Sequence, residues 1–219
     1  MKNQLILKIA LLHAVFLNGF NPVVAQVDKQ AADILKNVSA KYKSFSSIHA
    51  EFSYTLDDPK EKSKSTQFGN ISLKGEKYRL EITGQEVTCD GKTLWTFLKE
   101  ANEVQISEPE KNADAVTPST IFTLYEKGFD FKYMEEKSEN GKQIEVIDIM
   151  PQDKKKNFFK IRMKIDKNEK LIISTDVFNK NGTHAIYAIK KFTPNTPLPD
   201  SDFLFDKAKH PGIEVVDLR

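Results

Sequence analysis

The feature that most constrains this chain is a change of hydrophobic period. One stretch repeats at helical spacing: Ala31, Ile34, Leu35, Val38 and Tyr42, with Asp28 placed to cap its start. After Ser46 the period becomes two. Ile48, Ala50, Phe52, Tyr54 and Leu56 alternate with His49, Glu51, Ser53 and Thr55, and Tyr78, Leu80 and Ile82 alternate with Lys77, Arg79 and Glu81. Strand-like runs follow at 92–99, 103–107, 129–136, 143–150, 158–165, 171–178 and 185–192. Turn signals separate the runs, among them Lys74-Gly75-Glu76, Asp90-Gly91, Asn140-Gly141 and Asn181-Gly182. Parallel crossover units need helices between strands, and none are legible there. The pattern predicts one antiparallel meander of about ten strands, which must curl into a barrel or a strongly bent half-barrel. The first helix and Pro118–Tyr125 are too little material to fill it, so a cavity is expected.

The N-terminus reads as a secretory leader. Lys2 and Lys8 give a positive start, Ile9–Phe20 is mostly apolar, and Val23-Val24-Ala25 precedes a cut at Gln26. The apolar run is shorter than the roughly 20 residues of a membrane span. Residues 1–25 are therefore expected as signal peptide and 26–219 as a single exported domain in the periplasm. Without Lys2 and Lys8 the mature chain has 31 basic and 31 acidic side chains, so no bulk charge recruits nucleic acid or an anionic surface.

Chemical motifs fail one by one. Gly91-Lys92-Thr93 resembles the end of a phosphate-binding loop, but the required preceding glycine is Glu86 and a strand follows. The histidines His13, His49, His184 and His210 share no ligand spacing, so no metal is expected. Cys89 lacks a catalytic context and reads as an inert thiol. No acidic pair stands out as an acid/base couple. No catalytic residue and no cofactor is expected.

The order of segments carries a resemblance. After the helix come Phe45-Ser-Ser-Ile-His-Ala-Glu-Phe-Ser-Tyr, Gly69-Asn-Ile-Ser-Leu-Lys-Gly-Glu-Lys-Tyr-Arg-Leu-Glu and Val87-Thr-Cys-Asp-Gly-Lys-Thr-Leu-Trp-Thr-Phe. Phe203-Leu-Phe and Pro211-Gly-Ile-Glu-Val-Val-Asp close the chain. This resembles the LolA family, periplasmic carriers of outer-membrane lipoproteins. The resemblance implies an incomplete antiparallel barrel wrapped around a helical lid, with a cavity for acyl chains. It implies as partners acylated lipoproteins, an inner-membrane lipoprotein-releasing transporter and, where one is present, an outer-membrane acceptor. The carrier would be a monomer and not an enzyme.

Candidate cavity residues are Phe52, Tyr54, Ile71, Leu73, Tyr78, Leu80, Ile82, Trp95 and Phe97, and candidate lid residues are Ile121, Phe122 and Leu124. Alternation alone leaves each as either core or cavity wall, and does not decide which face of residues 93–98 is concave. The family's prototypes carry an arginine in the turn before the Leu80 strand, thought to latch the lid. Here that position is Gly75, and Arg79 is the nearest arginine. Apolar alternation puts Arg79 on the face opposite Tyr78 and Leu80, so no arginine latch is expected. Two other readings stay open: a periplasmic binder or sensor of another apolar ligand, and a packed β-rich interaction module without ligand. The leader predicts that intact mass of the exported protein corresponds to a chain starting at Gln26; a full-length chain in the membrane fraction would refute it.

Overall fold

A computed structural model describes residues 28–109 and 128–219. The leader and the candidate lid residues Ile121, Phe122 and Leu124 lie outside the described residues. The single α-helix among them, α1 (Lys29–Lys43), follows the expected helical stripe. Ala31, Ile34, Leu35, Val38 and Tyr42 are buried, and the lysines of its last turn, Lys41 and Lys43, favour the negative end of the helix dipole. Asp28 caps the start by accepting from Ala31 N at 3.1 Å.

Among the described residues twelve strands form one sheet. They are β1 (Ile48–Asp58), β2 (Ser63–Lys74), β3 (Lys77–Ile82), β4 (Gln85–Cys89), β5 (Leu94–Leu98), β6 (Glu103–Ser107), β7 (Phe129–Glu139), β8 (Lys142–Pro151), β9 (Phe158–Asp166), β10 (Leu171–Asn179), β11 (His184–Pro194) and β12 (Glu214–Asp217). The spatial order β12-β6-β5-β4-β3-β2-β1-β11-β10-β9-β8-β7 contains two continuous meanders, β1–β6 and β7–β11. They join where β1 pairs with β11, and β12 adds in parallel to β6. Among the described residues the sheet does not close, and β7 and β12 are its edges.

The expected count of about ten falls short at both short and polar strands. β2 is Ser-Lys-Ser-Thr-Gln-Phe-Gly over most of its length, so its outer half has no apolar alternation to read. β4 and β12 have only five and four residues, too few for a period to declare itself.

Curvature follows from the core. One apolar cluster joins α1 to Tyr78 and Cys89 on β3 and β4, and also to Ile147 and Phe129 on β8 and β7. In a flat sheet β4 and β8, seven places apart, would be separated by about 34 Å. A helix about 10 Å across touches both only if the sheet curls around it. Two backbone amides fix the helix inside the curl. Tyr133 N on edge strand β7 donates to Asp28 Oδ2 at 2.8 Å, and Ile172 N on β10 donates to the Tyr42 hydroxyl at 3.1 Å. The N–H bonds to Asp28 hold its carboxyl below the ordinary pKa, the one from Tyr133 N most strongly.

Among the glycines described, Gly69 has the tightest surroundings. A Cβ there would lie 2.5 Å from the Glu81 carbonyl oxygen and 2.8 Å from both Phe52 Cζ and Ile82 Cγ2. The Phe52 ring occupies the space that a side chain at Gly69 would need, which keeps the strand packed despite the glycine. Gly69→Ala is expected to lower stability by about 1–3 kcal/mol, because a backbone oxygen cannot swing aside as a side chain can. Urea denaturation checks this; an unchanged midpoint would mean the strands part freely at this point.

Candidate functional site

The register sorts the candidate cavity residues by face. Tyr54 stands opposite Gln67, Ile71 opposite Leu80, Leu73 opposite Tyr78, and Gly69 opposite Ile82. Following these pairs across β1, β2 and β3 places Phe52, Tyr54, Ile71, Leu73, Tyr78, Leu80 and Ile82 on the side that faces α1. They do not share one environment. Leu73 and Tyr78 are buried in the cluster under the helix, and burial pushes the Tyr78 hydroxyl up to about 12. Tyr54, Leu80 and Ile82 remain half-buried.

Trp95 and Phe97 fall on the other face, which corrects their place among the cavity residues. Cys89 and Val87, on the helix side, pair with Leu94 and Thr96, so Trp95 and Phe97 point outward. There the C-terminal segment covers them. Phe97 packs with Val104 and Ile213, and its ring lies 4.3 Å from His210 and 5.8 Å from Phe205. His210 and Phe205 stack at 4.9 Å with 12° between planes. β5 is apolar on both faces because both faces are covered, and alternation loses its meaning in such a strand. Phe203, fully buried, belongs to the same covering segment, whose start is held by Lys74 and Lys77 on Asp200 at 2.9 and 2.7 Å.

The latch question has a geometric answer on this sheet. Gly75 sits in the β2–β3 turn with φ +61°, where a side chain would have open space but a strained backbone. Arg79 faces outward, away from Tyr78 and Leu80. It donates to Glu81 Oε1 at 2.8 Å and to Glu86 Oε2 at 3.1 Å.

Two features gave no sequence signal. A cavity of about 490 Å³ lies beside Glu51, Phe52, Gly69, Asn70, Glu81 and Ile82, so it draws on residues from both faces of the sheet. Charged side chains (Glu51, Glu81, Lys99 and Lys190) and apolar ones (Phe52, Phe68 and Ile82) share its lining. The second is Glu145 on β8. It is 6% exposed, on the helix side opposite Ile165, and its Oε2 has no hydrogen-bond partner among the described residues. Within its strand it reads as one more alternating polar residue. Among the described residues no group of three or more His, Cys, Asp or Glu side chains is placed to hold a metal ion.

Among the described residues the arrangement is that of an open half-barrel whose inner face is largely apolar and holds one α-helix. The family described as outer membrane lipoprotein carrier protein LolA matches residues 43–206, and the chain belongs to that family. Two solved structures agree in fold. An uncharacterized conserved protein from Thermus thermophilus is 13% identical with a TM-score of 0.59, the match covering 86% of this chain and 99% of that one. Lipoprotein LppX from Mycobacterium tuberculosis is 9% identical with a TM-score of 0.52, covering 78% and 98%. A LolA superfamily protein from Nitrosomonas europaea also matches, at 12% identity and a TM-score of 0.44, covering 80% and 98%. No curated protein matches the chain.

Glu145 generates a prediction with a definite sign. Burial raises its carboxyl above the ordinary value; Lys170 and Lys167 oppose this, and Glu136, its neighbour on β7, adds to it. A raised carboxyl penalises folding once the unfolded chain ionises it, so the penalty is absent below about pH 4.5 and grows as pH rises. Glu145→Gln is expected to stabilise the protein by about 1 kcal/mol at neutral pH and not at all in acid. Denaturant midpoints at two pH values check it; a loss of stability at neutral pH would mean the carboxylate has a partner.

Proposed function

We propose that this chain is a periplasmic carrier that takes up the acyl chains of lipoproteins on its helix-side face and ferries them from the inner to the outer membrane. The observation that carries this reading is the half-buried apolar surface of Ile71, Leu80, Ile82 and Val87, which continues from the buried cluster under α1 without being sealed into it. Membership of the carrier family supports the same assignment. The physical demand fits. Burying a chain of about 15 methylenes is worth roughly 12 kcal/mol, so release into water is very slow. Handoff then requires direct contact with a donor, an inner-membrane lipoprotein-releasing transporter, and with an acceptor at the outer membrane. The reading is of a binder and carrier, not an enzyme.

A second reading is favoured by the same surface: a binder of free lipid, since nothing in an apolar trough distinguishes an acyl chain on a protein from one on a lipid. Native mass spectrometry of protein taken from the periplasm separates the two. A lipoprotein adduct supports the carrier, a free lipid adduct supports the second reading, and a bare mass refutes both.

Leu80→Glu, which places a charge in the half-buried part of the face, is expected to cut loading at least tenfold with stability lowered by no more than about 2 kcal/mol. Arg79→Ala, on the outer face, is expected to leave loading and transfer close to wild type, because its ion pairs with Glu81 and Glu86 lie away from the helix-side surface. A strong transfer defect in Arg79→Ala at unchanged stability would identify Arg79 as a relocated latch.

A further inference from the structure

The helix-side face is largely apolar, and besides the isolated Glu145 and Thr96 one polar row crosses it. Tyr54 on β1 stands opposite Gln67 on β2 and opposite Tyr187 on β11, and Tyr187 stands opposite Thr175 on β10. Four neighbouring strands thus present a transverse row of neutral hydrogen-bonding side chains. On one side of the row Phe52 stands opposite Gly69 and Ile189; on the other, Leu56 and Val177 both stand opposite Ala185. Rows two residues apart along a strand are separated by about 7 Å, so the polar groups are bordered by apolar surface at short range on both sides.

None of the four side chains makes a hydrogen bond to another described residue, although Thr and Asn side chains elsewhere in the sheet do, as in Thr55 with Thr66 and Asn179 with Thr183. All four are half-buried, neither sealed in the core nor free in water. The two tyrosine rings hold each other at 5.0 Å between centroids, which fixes where their hydroxyls lie. Burial, and then the neighbouring Tyr54, raises the Tyr187 hydroxyl, so it stays protonated and able to donate. A row of this kind supplies donors and holds no charge.

We infer that Gln67, Tyr54, Tyr187 and Thr175 bind the ester or amide carbonyls that join acyl chains to their polar end, and so set the depth at which the chains lie along the sheet. A charged headgroup does not fit, because the row contains no counter-charge. A carbonyl does: it is neutral, accepts two hydrogen bonds, and is flanked by hydrocarbon as the row is. This inference rests on the reading that acyl chains occupy the helix-side face, and goes beyond it by naming the part of the ligand that is recognised. The carbonyls come either from a lipoprotein's acylated cysteine or from a free glyceride.

The test uses the full-length mature protein, delipidated, titrated by native mass spectrometry with three probes: dipalmitoylglycerol, its dihexadecyl ether analogue, and a synthetic dipalmitoylated lipopeptide. The ether keeps the chains and loses both carbonyls. Wild type is expected to prefer ester over ether by about tenfold, the effect of one or two neutral hydrogen bonds. Tyr54→Phe with Tyr187→Phe removes only two hydroxyls; it is expected to abolish the preference while leaving ether binding and the unfolding midpoint unchanged. Thr175→Val, which leaves the ring pair intact, is expected to reduce the preference part-way. A lipopeptide bound more tightly than the glyceride identifies lipoprotein as the source of the carbonyls, and the reverse identifies free lipid; either supports the row. Equal binding of ester and ether by wild type overturns the inference and leaves the apolar face as a lipid site. A preference that survives the double variant also overturns it. If no probe binds, the proposed function falls and the inference with it.

Discussion

Two hydrogen bonds to backbone amides hold the rest of this structure in place. Asp28 accepts from Tyr133 N and the Tyr42 hydroxyl accepts from Ile172 N, one at each end of α1. A sheet with two free edges has no ladder to close it, so its curvature must come from what it wraps. The helix supplies an apolar stripe for the sheet to curl on, and its two polar ends decide where along the curl that stripe sits. Ile172 N lies beside a register shift in β10, between Ile172 and Ser174, where the ladder leaves a donor over. Tyr133 N lies beside a comparable shift in β7. The irregularities of the sheet thus provide the donors that the helix uses.

Much of this was legible in the sequence because period and burial coincide where only one face of a strand is covered. The stripe of α1, its Asp28 cap, and the alternation in β1 and β3 all follow that rule. Trp95 and Phe97 broke it. Their strand is covered by α1's cluster on one side and by the C-terminal segment on the other, and a strand apolar on both faces carries no facing information. The polar row failed for the opposite reason. Gln67 and Thr175 look like solvent-side residues in any single strand, and only the cross-strand register brings them beside Tyr54 and Tyr187. Glu145 was invisible for the same cause: its burial is set by its neighbours on β7 and β9.

The two faces of the sheet therefore have different jobs. The outer face of β3–β6 is finished by the chain's own C-terminal segment, with Asp200 ion-paired to two lysines and brought down to about 2, and with the Phe97, His210 and Phe205 rings packed over the strands. The inner face combines a tightly packed zone under α1 with a half-buried zone beyond it. Close packing suits the first, which keeps the fold, and would defeat the second, since a site packed like a core has no room for a chain.

The seam between β1 and β11 has a consequence in time. Each meander is built of successive hairpins, whose strands meet almost as soon as they exist. The seam instead pairs Ile48 with Pro194 and Asp57 with His184, residues more than a hundred positions apart. Closing so long a loop comes late and slowly. Until it closes, β1 and β11 each present an unpaired edge, Phe52 and Tyr54 on one and Tyr187 and Ile189 on the other, and two chains in that state can exchange halves as readily as one chain can join its own. The middle of the finished sheet is thus, with the β12–β6 pairing, among its last parts to form, and the interval before it forms exposes this protein to misassembly.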